Sequence, residues 1–241
     1  SKLPDGYADF TLKNVQSRVH VAYKTVPSGK PYGKMLYPFN MDNTSYAAYG
    51  FTDEHPLYED AKPGNWFFEP VFELWRANII DMLSFEAYAP ASMRRSGTNE
   101  NCFYPNMNQS RGLTAQILFN SISYLNLPYD AVGSSPFSDV KLEAPYYYAV
   151  LWAADNDVVT GFPGGLFKPD NSITREQMCT IMLRLAEKAG LELSAAKEAA
   201  VFTDAGKISD WAADAVKACQ AAGIVSGYPD GTFKPKSTIS N

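Results

Sequence analysis

The feature that most constrains this chain is an internal repeat in its C-terminal half. Residues 158–169 recur as residues 224–235, with the same order of apolar residues, glycine, phenylalanine and proline. Corresponding glycines and phenylalanines of the two copies are 66 residues apart. A repeat of this length is typical of stacked supersecondary units, each of which buries its apolar face against a neighbour.

Shorter motifs flank the repeated loop. Phe-x-Asp tripeptides at 137–139 and 202–204 precede it, and Ile173 and Ile239 follow it, each between two hydroxyl residues. A third, upstream copy keeps four motif positions 64 residues before those of the middle copy, although its early half has diverged. These positions are Gly97, Phe103, Pro105 and Arg111.

The repeats divide the chain into four predicted segments. Residues 1–60 form a strand-and-loop segment, residues 61–130 a divergent first repeat, residues 137–190 a second repeat and residues 200–241 an incomplete third repeat. Because the chain has no initiator Met and ends inside the third motif, we expect it to be a piece of a longer protein.

Each repeat is predicted to fold as helix, loop, helix, so the fold class is mainly α. In the first helix of the second and third repeats, small apolar residues form a narrow stripe suited to close helix packing. The stripe comprises Ala149, Val150 and Ala153, then Ala215, Val216 and Cys219. Thr174 and Gln177 predict a capping box at the start of the next helix, and Ser110 a cap in the upstream repeat.

The loop between the helices also has predictable features. Phe167 and Phe233 are expected to plug the loop into the core. Gly161 and Gly227 follow the first helix, where a residue with positive φ can stop it. In the third repeat, Pro and Gly at 229 and 231 predict a tight turn.

Residues 1–60 differ from the repeats. Apolar residues alternate near Phe10 and over 19–23, as they do in short strands. Glycines, prolines and many tyrosines separate these stretches, so we predict strands joined by long loops. His20 lies between apolar residues, and a packed or surface side chain is favoured there over a metal ligand.

Composition and charge exclude several classes of protein. The net charge of −5 argues against nucleic-acid binding, which needs a basic face. No apolar run approaches the roughly 20 residues of a membrane span. Cys102, Cys179 and Cys219 show no metal-binding spacing, and core packing is favoured over a bridge between the last two. No EF-hand spacing is present, and no metal or cofactor is predicted.

The motifs resemble those of the S-layer homology (SLH) family. The residues that carry the resemblance are the Phe-Thr-Asp at 202–204, Trp211, the loop 223–235 and the Ile-Thr-Arg-Glu at 173–176. The resemblance implies three repeats in a pseudo-threefold helical bundle, with ligand grooves between neighbouring repeats. It also implies an extracellular place in the bacterial cell wall or S-layer. The implied ligand is a peptidoglycan-linked secondary cell wall polysaccharide, often with a pyruvyl ketal on a hexosamine.

A pyruvyl ketal presents a carboxylate on a sugar ring, so its binding requires a planar cation, N–H donors and an aromatic face. Arg175 and Arg111, each one residue after a predicted cap, are the candidate cations. The helix start is expected to add unpaired backbone N–H groups. A cation in the first helical turn is otherwise unfavourable, which favours a ligand role over that of an ordinary exposed arginine.

Six further residues are candidate contacts to the polymer: Trp211, Tyr146, Asp139, Asp204, Gly161 and Gly227. The tryptophan is suited equally to stacking on a sugar and to plugging the core. The tyrosine offers a stacking face in the second repeat. Each aspartate either accepts sugar hydroxyls or, lying just before a helix, caps or braces the turn, with capping slightly favoured. The glycines are mainly conformational but also let a sugar approach the backbone.

The sequence favours non-covalent anchoring to the wall polymer without catalysis, and two other functions compete. One is a structural subunit of an S-layer or filament whose repeats mediate self-assembly, since an incomplete third repeat would expose a core groove. The other is an enzyme fragment, because SLH repeats often accompany glycoside hydrolases. Glu54, Glu59 and Asp60 are paired carboxylates, but they lie in a polar, loop-like stretch with no pattern of burial.

Overall fold

In a computed structural model, the chain forms two compact units, residues 1–103 and 104–241. The structure describes three short N-terminal strands and most of the chain after residue 57. The described residues are 7–10, 21–25, 31–33, 58–62, 64–77, 79–80, 85, 88–89, 92, 102–122, 125, 127–128, 133–193 and 201–241. The expectations for His20, Glu54 and Gly97 concern residues outside this set.

The first unit contains a three-stranded antiparallel sheet. Strand β1 (Tyr7–Phe10) pairs with β2 (Val21–Thr25), and β2 pairs with β3 (Pro31–Gly33), so the strand order follows the chain. In the β1–β2 register, Phe10 lies opposite Val21. The strands fall within residues 1–60, the segment for which the alternating pattern predicts strands.

The first unit also contains helix α1 (Phe68–Arg76) and an aromatic cluster. Phe68 and Phe72 of this helix are buried, with ring centroids 6.2 Å apart. A second group of rings surrounds Phe103, which lies 5.0 Å from Phe85 and 5.8 Å from Tyr58. Because aromatic side chains bury large areas, they dominate the core of this unit.

The described part of the second unit contains four α-helices: α2 (Arg111–Ser121), α3 (Tyr147–Asp155), α4 (Arg175–Lys188) and α5 (Ala213–Ala221). Short 3₁₀ turns at 205–207 and 210–212 lead into α5. Helix α2 packs against α3, and α4 packs against α5. The described part of this unit contains no strand longer than an isolated bridge, so the fold is mainly α as predicted.

The predicted core positions are buried. The stripe residues of α3 and α5 are at most 3% exposed. Phe167 and Phe233 are also buried, as the plug prediction requires, and Trp152 is the largest fully buried side chain among the described residues. None of the three cysteines forms a disulfide, and all three are buried, in agreement with core packing.

Both helix caps form as predicted. The Thr174 hydroxyl accepts a hydrogen bond from the backbone N–H of Gln177 at 3.4 Å, and the Gln177 side chain accepts one from the N–H of Thr174 at 3.1 Å. In α2, the Ser110 hydroxyl accepts the N–H of Leu113 at 3.2 Å. These bonds satisfy donors that the helix itself cannot pair, and therefore set where α2 and α4 begin.

The prediction that Gly161 and Gly227 stop the first helix through a positive φ is wrong. The left-handed residues are Asp157 (φ 58°) after α3 and Gly223 (φ 77°) after α5. Each is the second residue after its helix, and its N–H donates to a carbonyl three residues earlier. The next N–H, that of Val158 in the first case, donates five residues back, which completes a Schellman motif. In this motif the residue with positive φ is the second one after the helix. The loop glycines lie further along the chain and therefore cannot take this position.

Three segments of the second unit are joined by a closed ring of backbone hydrogen bonds. The N–H of Ile173 donates to the carbonyl of Gln109, that of Ile239 to Ile173, and that of Gln109 to Ile239. The distances are 2.9, 3.1 and 2.9 Å. Corresponding residues of the three sequence repeats therefore meet at one place, where each segment satisfies the backbone polar groups of the next.

Two negative findings apply to the described residues. None of their helices combines the length and the apolar character needed to cross a bilayer. No group of three or more of their His, Cys, Asp and Glu side chains is placed to hold a metal ion.

Candidate functional site

A groove of about 320 Å³ opens in the second unit between parts of all three repeats. The loop after α3 forms one wall, one face of α4 forms another, and Arg111 and Trp211 stand at its sides. The lining residues are Arg111, Val159, Thr160, Gly161, Phe162, Gln177, Thr180, Ile181, Arg184 and Trp211. The lining therefore combines two cations, amide and hydroxyl groups and an indole, and none of its described residues is acidic.

Arg111 at the start of α2 reaches across to the loop of the second repeat. Its Nε donates to the carbonyl of Phe167 at 2.8 Å and one Nη to the carbonyl of Thr160 at 3.0 Å. Its guanidinium carbon lies 4.9 Å from the ring centre of Phe162 and 4.5 Å from that of Phe167. Burial lowers the pKa of Arg111 to about 10, with Asp139 opposing the change, so the side chain stays charged at neutral pH.

Arg175 at the start of α4 makes the same contacts one repeat further along. Its Nε donates to the carbonyl of Phe233 and one Nη to that of Ser226, both at 2.8 Å. The guanidinium carbon lies 5.1 Å from the ring centre of Tyr228 and 4.7 Å from that of Phe233. We call each of these arrangements an arginine clamp, because it fixes the loop of the following repeat.

The clamps explain why a cation occupies the first helical turn. A guanidinium has five N–H donors, and carbonyl groups of the next loop take two of them in each clamp. The remaining three have no hydrogen-bond partner among the described residues. Each arginine is therefore first a structural connection between repeats, and it keeps donors that a ligand can use.

The unpaired N–H groups expected beside the two arginines are not found at the starts of α2 and α4, so that prediction is wrong. The N–H groups of Arg175 and Glu176 donate to the carbonyls of Ser237 and Pro235. At the start of α2, those of Arg111 and Gly112 donate to carbonyls of the second repeat's loop. The third N–H of each helix is taken by its cap. The neighbouring loop thus satisfies donors that an isolated helix would offer to an anion.

Asp139 and Asp204 brace distant loops instead of taking the capping role that the sequence slightly favours. Asp204 lies at the N-cap of the 3₁₀ turn 205–207 but makes no side-chain cap hydrogen bond there. The Asp139 carboxylate accepts the N–H groups of Phe167 at 2.8 Å and Lys168 at 2.7 Å. Asp204 accepts the equivalent groups of the third repeat at 2.7 and 2.9 Å. Burial alone would raise the pKa of each carboxyl, but these backbone hydrogen bonds hold it below its ordinary value. Lys168 has a φ of 57°, and the bonds hold it in this unfavourable conformation.

Asp60 makes the same type of contact in the first unit. Its carboxylate accepts the backbone N–H of Phe103 at 2.7 Å. Asp60 thus contacts Phe103 as the aspartates of the two later Phe-x-Asp motifs contact Phe167 and Phe233. Sequence reasoning missed this because 43 residues separate Asp60 from its phenylalanine, against 28 and 29 in the later repeats.

The loop glycines are required by packing. A Cβ on Gly161 would lie 2.3 Å from a ring carbon of Phe137, and one on Gly227 would lie 2.8 Å from a ring carbon of Phe202. The ring of Tyr146 packs against Gly112 in a similar way. A Cβ on Gly112 would lie 2.8 Å from a ring carbon of Tyr146. Burial, together with nearby acidic residues, raises the pKa of this tyrosine.

Of the eight predicted site residues, the structure brings three together in the groove. These are Arg111, Gly161 and Trp211. Trp211 is 58% exposed, so it is not a core plug. The other five, which do not line this groove, are Arg175, Asp139, Asp204, Gly227 and Tyr146.

Sequence reasoning missed the polar face that α4 turns toward the groove. Gln177, Thr180 and Arg184 are spaced by three and four residues, so they lie on one side of the helix. Helical periodicity predicts a polar face of this kind in the same way as it predicts the apolar stripes of α3 and α5. Polar residues at helical spacing in α4 are therefore the signal that could have located this face of the groove.

Comparisons with known proteins place these features in context. Residues 136–179 and 201–240 match the family model of the S-layer homology domain. Cell surface glycoprotein 1 of Acetivibrio thermocellus is 31% identical over 147 residues, which cover 59% of this chain and 6% of that protein. An endoglucanase of Bacillus sp. (strain KSM-635) is 28% identical over 179 residues, covering 74% of this chain and 17% of that protein.

A third relative, the cellulosome-anchoring protein of Acetivibrio thermocellus, is 42% identical over 80 residues, covering 33% of this chain and 17% of that protein. The chain thus spans less than one fifth of the length of these relatives. The loop wall of the groove, Gln177 and Trp211 all lie within the residues that match the family model. The repeated motifs, the arginine clamps and these matches together identify the chain as an SLH-domain protein of the bacterial cell surface.

Proposed function

We propose that this chain anchors a surface protein non-covalently to the cell wall by binding an anionic secondary wall polysaccharide in the groove. The observation that carries the proposal is the composition of the lining: Arg111 and Arg184 supply positive charge, Trp211 an exposed indole face, and Gln177 a side-chain amide. These are the groups that an acidic sugar requires. A pyruvyl ketal on a hexosamine is the anionic group that the family resemblance suggests.

The acidic character of the chain makes this local arrangement necessary. With a net charge of −5, the chain as a whole repels an anionic polymer. Attraction must therefore come from a site where cations are held close together and acids are kept away. The groove has this property among its described lining residues.

We further propose that the three repeats surround a pseudo-threefold axis. The closed ring of hydrogen bonds through Gln109, Ile173 and Ile239 supports this arrangement. On this basis the first repeat opens at Tyr58, three residues before the boundary expected from the sequence. A second groove near the Arg175 clamp would let one polymer engage two sites, which increases residence through effective concentration.

The module is proposed to act without catalysis. The alignments with the glycoprotein and the endoglucanase cover 59% and 74% of this chain, so they overlap on it. A segment shared by relatives with such different names is better explained by a common attachment role than by a common reaction. The described Asp60 and Glu59 support this, since the first braces a loop and the second is exposed.

Co-sedimentation with purified wall sacculi, before and after removal of the secondary polymer, tests the proposal. We expect binding that disappears with the polymer. Trp211→Ala should weaken it by about tenfold at most, since an aromatic contact contributes about 0.5–1.5 kcal/mol. Tyr148→Ala is the matched control, because Tyr148 is 55% exposed and lies outside the groove.

Trp211→Ala is a sharper probe than replacement of either clamp arginine, whose loss would also release a loop. Circular dichroism should show that both aromatic variants remain folded. Undiminished binding to stripped sacculi would contradict the proposal and favour self-assembly into a lattice instead.

A further inference from the structure

Arg184 differs from the two clamp arginines because its charge is uncommitted. It lies on the groove face of α4, one turn after Thr180, and is partly buried. Its side chain makes no hydrogen bond or ion pair with any residue that the structure describes. Arg111, in contrast, already donates to two loop carbonyls. Arg184 is thus the groove cation whose whole guanidinium fork is available to a ligand.

The groove does not end at Arg184. A second compartment of about 370 Å³ shares Thr160 and Arg184 with the first. Its other lining residues are Asn156, Asp157, Glu187 and Lys188. Each compartment alone is near the lower end of small-molecule sites, which begin at about 300 Å³. Two compartments that share a wall are therefore suited to a ligand longer than one sugar ring.

The two compartments differ in chemistry. The first has cations, the indole and no described acid among its lining residues. The second has Asp157 and Glu187 beside Lys188, so carboxylates can accept sugar hydroxyls there and the ammonium can donate to sugar oxygens. An acidic group is favoured in the first compartment, whose charged lining residues are all cations, over the second, where two carboxylates offset the charges of Arg184 and Lys188. An uncharged sugar suits the second compartment.

We propose that Arg184 binds the acidic group of the wall polymer, and that the neighbouring sugar occupies the second compartment. The recognised ligand is then an acidic oligosaccharide of at least two units, oriented by Arg184 at the junction. This inference rests on the proposed function and specifies the ligand of the same groove.

The first test compares Arg184→Gln with wild type in binding polymer-bearing sacculi. Loss of a charge-assisted contact should weaken binding by about 10-fold to 100-fold. Arg184→Lys should recover part of the loss, because it keeps the charge but not the planar fork. Lys217→Gln is the control: Lys217 is exposed on α5, lines neither compartment, and its replacement changes the net charge equally.

The second test concerns ligand length. Fragments released from the same polymer by enzymatic digestion, which leaves acid-labile ketals intact, and separated by size are used as inhibitors of sacculus binding. Two-unit fragments should inhibit wild type at about one tenth of the concentration that one-unit fragments need, and Glu187→Gln should reduce this difference. Equal inhibition by both lengths, or none, would remove the second compartment from the proposal.

The outcomes separate this inference from the proposed function. If wild type binds in a polymer-dependent way and Arg184→Gln changes the affinity by less than twofold, the role of Arg184 is overturned and anchoring stands. If wild type does not require the polymer, the proposed function fails, and this inference fails with it.

Discussion

Because the two arginine clamps differ in burial, Arg111→Ala and Arg175→Ala should lower the free energy of unfolding by different amounts. Arg111→Ala would leave the carbonyls of Phe167 and Thr160 without their donor. A buried acceptor left unpaired costs about 1–3 kcal/mol. Loss of the guanidinium from the rings of Phe162 and Phe167 adds about 0.5–2 kcal/mol. Since Arg111 is only 6% exposed, water cannot readily replace it, and we expect the two contributions together to lower the unfolding free energy by about 1.5–5 kcal/mol.

Arg175→Ala should cost less, about 1–2 kcal/mol. The clamp has the same two bonds, but the one to Ser226 is exposed to solvent. Water can therefore hydrate that carbonyl when the arginine is removed. The difference between the two variants follows from burial alone, because their partners are otherwise equivalent.

Urea unfolding, followed by tryptophan fluorescence and far-UV circular dichroism, measures both costs. The slope of free energy against urea should be unchanged, so that midpoint shifts report stability. Arg184→Ala is the control, expected within about 1 kcal/mol of wild type because this arginine holds no described group. A loss below 1 kcal/mol for Arg111→Ala, or a larger loss for Arg175→Ala, would refute the reasoning.

Two further predictions concern the loops. Gly161→Ala should lower stability by about 1–3 kcal/mol in the same urea assay, since the new Cβ would lie 2.3 Å from a ring carbon of Phe137. Gly206→Ala, which meets open space, should stay within about 0.5 kcal/mol, and equal effects would contradict the packing argument. The lowered pKa values of Asp139 and Asp204 contribute stability that is present above their ordinary pKa of 3.8 and lost as pH falls through the lower folded values. Urea unfolding free energy should therefore decline below about pH 4, and Asp204→Asn should reduce the decline; an unchanged acid dependence would refute the bracing role.

Features that depend on nearby residues could be predicted from the sequence. The capping box at Thr174 and the cap at Ser110 form as expected, because each needs only residues within one turn. The buried stripes of α3 and α5 also follow from local spacing, since helical periodicity decides which side chains face a neighbour. The loop phenylalanines belong with these, because a large apolar side chain in a short loop has only the core in which to be buried.

The position of positive φ could not be predicted from the loop glycines. The Schellman motif at the end of α3 uses Asp157, a residue type that adopts positive φ more readily than most but does not require it. Gly161 was recognised as necessary for the wrong reason, because the ring that excludes a Cβ comes from Phe137, 24 residues earlier. Such exclusions depend on contacts between segments and not on local conformation.

The sequence by itself determined that this chain is mainly α and carries a repeated helix-and-loop motif, because repeats and helical periodicity are properties of residue order. It also singled out arginines at the helix starts as unusual. Only the tertiary structure decided what those arginines do, since their partners are carbonyl groups, which every residue has. It likewise decided that the helix-start N–H groups are already paired, and that Arg184 has no described partner. Backbone groups leave no pattern in a sequence, so contacts made through them appear only when the repeats are packed together.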